Sequence, residues 1–163
     1  MKHLKLFALL LLATIFMVAS CKKTTDPSPD DFYFRCKING QLYIPNSCAN
    51  CLTCTVYKDT ILLLGANQGY KVLTIGINDN LNIRVTTYIL NEIIGRQGTY
   101  KNSTLTNDRY FTDAKHTGQL QITTLDKTNK ILQGTFYFKA YNCYSNDSIS
   151  VTDGDFRLHY TIN

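Results

Sequence analysis

Cys48-Ala-Asn-Cys51-Leu-Thr-Cys54 puts three thiols within seven residues, and no other stretch of the chain offers as much chemistry. Two overlapping C-x-x-C units allow three uses. Three thiolates, with Cys36 or Cys143 as a fourth, suit a tetrahedral metal such as zinc. A C-x-x-C pair can act as a redox couple, because that geometry lowers a thiol's pKa. The third use is a disulfide that staples a loop, which an oxidising compartment favours. No thioredoxin-like βαβ pattern surrounds the cluster, and no second C-x-x-C unit follows at zinc-ribbon spacing. Disulfides or unpaired thiols are therefore the expectation for Cys36, Cys48, Cys51, Cys54 and Cys143, ahead of metal binding and ahead of redox exchange. Five thiols make at most two bridges and leave one over, and spacing alone does not choose the pairing.

The remaining chemistry-bearing residues have plainer readings. His116 precedes Gly118 in a polar stretch, and His159 lies on the outward side of the last strand, where a histidine is a surface residue more often than a general base. Asp153-Gly154-Asp155 has the look of a calcium loop but lacks the carboxylate series that follows in one, so it reads as a β-turn. Tyr137, Tyr141 and Tyr144, with Lys139, would form either an exposed aromatic surface for a sugar or a partner, or ordinary cross-strand pairs on a solvated face. No nucleophile elbow, phosphate-binding loop, dinucleotide fingerprint or H-E-x-x-H zinc motif occurs. No catalytic residue, metal site or cofactor is expected, and the reading is nonenzymatic.

The elements that must position these residues centre on Gln119–Tyr141, QLQITTLDKTNKILQGTFYFKAY. Polar and apolar residues alternate on both sides of the knot Asp126-Lys127-Thr128-Asn129-Lys130, which is the pattern of a β-hairpin. Leu120, Ile122, Phe136, Phe138 and Ala140 share the apolar side. A lone hairpin is unstable in water, so other strands must cover that side. Phe32, Phe34, Cys36 and Ile38 alternate ahead of Asn39-Gly40, whose residues suit a type I′ turn into Gln41–Ile44. Further strands are predicted at Thr55–Lys58, Ile61–Ala66, Lys71–Ile77, Ile83–Leu90, Thr99–Tyr100, Arg109–Thr112, Ser148–Val151 and Phe156–Ile162. Turns are predicted at Gly65–Gly69, Asn78–Asn80 and Asp153-Gly154, and Phe156, Leu158, Tyr160 and Ile162 are expected to face inward. About nine short strands predict an all-β domain, an antiparallel β-sandwich or a barrel-like meander.

The first twenty residues read differently. Lys2 and Lys5 precede an apolar run at Leu6–Val18 that only Thr14 interrupts, which is the layout of a secretory signal and too short for a membrane-spanning helix. Val18-Ala19-Ser20-Cys21 resembles the bacterial lipobox, in which the cysteine is lipidated and becomes the mature N-terminus. Lys22–Asp31, KKTTDPSPDD, would then be an extended tether of ~30 Å. The expected organisation is a signal at 1–20, lipidated Cys21 and tether at 21–31, and one domain at 32–163. Removing Met1–Ser20 lowers the formal charge from +5 to +3. The remaining positive charges are scattered rather than clustered, so no nucleic-acid partner is expected. The expected partner is a membrane, reached through the N-terminal lipid, with any protein or glycan partner left open. The place is the cell envelope, an outer membrane lipoprotein facing the periplasm or the surface.

Three pieces carry a resemblance: the lipobox, the opening FRCKINGQLYIP, and the closing ITTLDKTNKILQGTFYFKA with SISVTDGDFRLHY. Together they resemble an uncharacterised family of Bacteroidetes lipoproteins. The resemblance implies a small β domain on a lipid anchor and no assigned activity. This chain departs from the pattern at Leu42-Tyr43, where a Trp is expected, and in its cysteine cluster.

Overall fold

The computed structural model describes residues 32–92 and 95–163. The predicted signal at 1–20, Cys21 and the tether to 31 lie outside the described residues.

Alternation dominates the sequence, and the described residues form strands without a helix. They are β1 (Tyr33–Ile38), β2 (Gln41–Tyr43), β3 (Leu52–Tyr57), β4 (Ile61–Gln68), β5 (Lys71–Asn78), β6 (Thr87–Leu90), β7 (Gln97–Lys101), β8 (Arg109–Phe111), β9 (Gly118–Asp126), β10 (Ile131–Asn142), β11 (Asp147–His159) and β12 (Thr161–Ile162). The all-β expectation holds, with twelve strands in one sheet instead of about nine. The order is β12-β3-β4-β5-β7-β8-β10-β11-β1-β2, with β9 on β10 and β6 on β9. Only β12 and β3 run parallel, so the sheet is mixed. It is no simple meander, because the N-terminal β1 sits between β11 and β2. β12 follows β11 after one residue yet pairs at the far end of that order, so the sheet curls around a single core.

The predicted hairpin is the centre of this sheet. β10 holds β9 along Ile131–Phe138, β11 along its other edge and β8 at Tyr141. Its turn is fixed by Asp126, whose carboxylate accepts the backbone N–H groups of Thr128 and Asn129, each at 2.9 Å. Leu120, Ile122, Phe136, Phe138 and Ala140 are all buried. Phe136 is the hub, with ring centroids 5.1 Å from Phe34, 6.5 Å from Phe138 and 6.3 Å from Phe156. Each such burial contributes about 1.5–3 kcal/mol against the entropy of ordering the chain. The Asn39-Gly40 turn has the required positive φ at both residues, 50° and 80°.

Four expectations need correction. Asp153-Gly154 is no turn: β11 runs straight through as one strand of thirteen residues. An extra residue bulges there, since Phe136 pairs with Gly154 and Phe138 with Val151. Gly154 is required because a Cβ would collide with the Phe136 carbonyl and lie 2.6 Å from its ring. Gly65 likewise lies within β4, and the turn comes later, at Gly69-Tyr70. The strand predicted at Ile83–Leu90 shortens to Thr87–Leu90, because Arg84 folds back to ion-pair with buried Asp79 at 3.1 Å. Finally, Ile162 is about half exposed, not inward-facing. Phe32 precedes β1 and meets the edge of the His159 ring at 5.9 Å. Ile162 lies beyond Tyr160, where the chain leaves the β10–β11 ladder for β3.

Candidate functional site

The five cysteines do not gather into one cluster; two of them bond and three stay free. Cys36 on β1 and Cys54 on β3 take the inward positions of their strands and are buried free thiols. Burial pushes both up to about 12, far from thiolate at neutral pH. Cys143 is exposed in the β10–β11 turn. Cys48 and Cys51 are disulfide-bonded with Cα atoms 5.2 Å apart, in the loop between β2 and β3. Among the described residues no three His, Cys, Asp or Glu side chains group as a metal site. A four-residue ring adds only about 2 kcal/mol by loop closure, the low end for a disulfide.

The histidines are equally separated. His159 is exposed on the outer side of β11, as expected. His116 Nδ1 lies 3.0 Å from both oxygens of Asp113. Those contacts, with the backbone N–H groups of His116 and Lys115, hold the Asp113 carboxyl below its usual value. The His116 ring stacks on Tyr141 at 5.0 Å with 6° between the planes. That stacking removes Tyr141 from the exposed tyrosine surface. Its hydroxyl donates to Asn146 Oδ1. Tyr144 is exposed at the turn, apart from the strand face.

Tyr137 is left as the exposed aromatic on the outer side of β10, and the register surrounds it with polar groups. Gln119 is its partner on β9. One step along, Gln121, Thr135, Asp155 and Arg35 form a row across β9, β10, β11 and β1. A shallow groove of about 400 Å³ runs between Gln119, Gln121, Thr135 and Tyr137 on one side and Asp153 and Asp155 on the other. Both carboxylates are tied down. Asp153 pairs with Lys37 at 2.9 Å, and Asp155 with Arg35 at 3.2 Å. The Tyr33 hydroxyl donates to Asp155 at 3.2 Å, and burial together with that carboxylate raises its pKa. Two planar amides and two ion-paired carboxylates therefore stand beside a half-exposed ring. Sequence alone does not single out Gln119, Gln121 or Thr135, and Asp155 reads there only as part of a β-turn. Their outward positions follow from alternation, but their convergence on Tyr137 depends on register.

Residues 30–158 match a known family pattern, described as a domain of unknown function. The chain belongs to that DUF6252 family. The DUF6252 match includes β1 to nearly all of β11, and so both the cysteine loop and the Tyr137 groove. No curated protein and no solved structure matches the chain.

Proposed function

We propose that this DUF6252 chain is a lipid-anchored protein of the bacterial cell envelope, of the kind the Bacteroidetes resemblance implies, whose β domain is a nonenzymatic binding module. In this reading 1–20 is the export signal, Cys21 carries the lipid, 22–31 is the tether and 32–163 does the binding. The lipobox residues Val18-Ala19-Ser20-Cys21 support the anchor. The observation that carries the binding role is the groove beside Tyr137, where Gln119 and Gln121 stand beside the ring and Asp153 and Asp155 are ion-paired with Lys37 and Arg35. Its half-exposed ring among amides and carboxylates favours a saccharide, since sugars present apolar C–H faces to aromatics and hydroxyls to planar polar groups.

The test uses the full chain expressed in a bacterial host fed labelled palmitate. Label should enter the wild type, and Cys21→Ser should abolish it. Purified protein is then placed on a glycan array. Binding that Tyr137→Ala removes supports the saccharide reading, whereas binding untouched by Tyr137→Ala and Gln119→Ala refutes this groove as the site.

A further inference from the structure

We infer that Cys48–Cys51 is an exchangeable disulfide that the chain passes to neutral, apolar cysteine-bearing peptides. This goes beyond the binding reading and uses none of the residues around Tyr137.

Four observations carry it. First, the bond is dispensable to its own loop. The Cys51 N–H already donates to the Cys48 carbonyl at 3.1 Å, closing the turn by backbone alone. Second, both ends of the loop are pinned to β4 independently. The Asn46 N–H donates to the Asn67 carbonyl at 2.9 Å, and the Asn67 N–H to the Cys51 carbonyl at 2.7 Å. Reduction therefore leaves the two sulfurs near each other and ready to close again. Third, the pair is asymmetric: Cys48 is exposed and Cys51 is buried. An incoming thiolate reaches Cys48 first. Fourth, Cys48 lines a groove of about 580 Å³ whose walls include Phe32, Ile44, Pro45, Ala49 and Leu52. The lining residues, which also include Tyr33, Asn46 and Ser47, carry no charge at neutral pH, so the groove complements an uncharged peptide with apolar side chains.

The exchange balances without another reagent. A substrate thiolate attacks Cys48 Sγ, the Cys48–Cys51 bond breaks, and its electron pair leaves on Cys51, which takes a proton from water. A second substrate thiolate then attacks the substrate sulfur of the mixed disulfide and releases Cys48 as thiolate, which is protonated in turn. Two electrons and two protons pass from substrate to the Cys48–Cys51 pair, one disulfide per chain. Cys54 takes no part, because it faces the core.

The experiment mixes the oxidised full-length protein with two reduced dicysteine peptides, one flanked by Leu and Phe and one by Ser and Gly, and follows disulfides by mass spectrometry. The apolar peptide should react about tenfold faster, the gain expected from placing a modest apolar area against the groove. Phe32→Ser with Ile44→Ser should erase that preference while lowering the melting temperature by only a few degrees, since both side chains are about half exposed. With oxidised peptide, Cys51→Ser should accumulate a mixed disulfide at Cys48, and Cys48→Ser should form none at Cys51. Equal rates on the two peptides, a rate no faster than that of the free cyclic tetrapeptide Cys-Ala-Asn-Cys, or trapping at Cys51 would each overturn the inference.

Discussion

Cys36 and Cys54 should resist alkylation as long as the sheet is folded. A thiol pushed up to about 12 from an ordinary 9.0 is thiolate about 1,000 times less often at neutral pH. The corresponding cost of ionising either thiol in place is about 4 kcal/mol. Reagent must also reach the sulfur, and Cys36 at 1% and Cys54 at 5% exposure offer almost no path. Modification of these two therefore waits for opening of the sheet, while Cys143 reacts from the native state. Full-length protein treated with iodoacetamide at mildly alkaline pH and mapped by mass spectrometry should show Cys143 modified alone, and all three free thiols modified in guanidinium. Cys21, proposed to carry the lipid, is left out of both counts. If Cys36 or Cys54 reacts within about tenfold of Cys143 in the native protein, the inward placement of β1 and β3 is refuted.

Three further outcomes follow from packing and charge. Phe138→Ala should lower stability by about 3–5 kcal/mol, and Tyr137→Ala, one residue away on the outer side, by about 0.5 kcal/mol or less; denaturant midpoints of the two variants separate them. Gly154→Ala should cost about 2 kcal/mol or more, because its Cβ meets the Phe136 carbonyl and ring, whereas Gly40→Ala meets nothing and costs about 1 kcal/mol through its φ of +80°, again read from denaturant midpoints. Asp113 is held below the usual 3.8, mainly by its hydrogen bond with His116, so its contribution is present above that value and fades as pH falls through the lower folded value. Unfolding titrations from about pH 5 down to about pH 2 should show a shallow decline that is smaller in Asp113→Asn.

Side-chain alternation made the inward residues of the central hairpin and of Phe156–Leu158 readable, because a strand's two sides are set two residues apart whatever its partners. Partners are another matter. Nothing local indicates that β1 lies against β11, some 120 residues later, or that Gln119 faces Tyr137. The β11 bulge reads as a turn in sequence because Asp-Gly has the same local signature in both, a positive φ followed by glycine. Arg84 broke the predicted sixth strand for a reason that only tertiary contact supplies, namely the buried carboxylate of Asp79. The cysteine spacing allowed many pairings. The structure bonds Cys48 to Cys51 within the loop and leaves Cys36 and Cys54 as buried free thiols on their strands, a choice that spacing does not contain.

The bulge that sequence obscured also shapes the groove. Along an unbroken strand, one residue would separate inward Val151 from the next inward position. In β11 two residues intervene, Thr152 and Asp153, before buried Gly154. Both neighbouring strands register the extra residue, at Phe136–Phe138 on β10 and at Arg35–Lys37 on β1. The insertion thus adds one outward side chain without disturbing the core, and that side chain is Asp153, held by Lys37 across from Tyr137. Gly154 makes the arrangement possible by letting the backbone press against Phe136. A core constraint and a surface feature therefore share one residue pair, so the same two positions that hold the sheet together also set the width and charge of the face beside Tyr137.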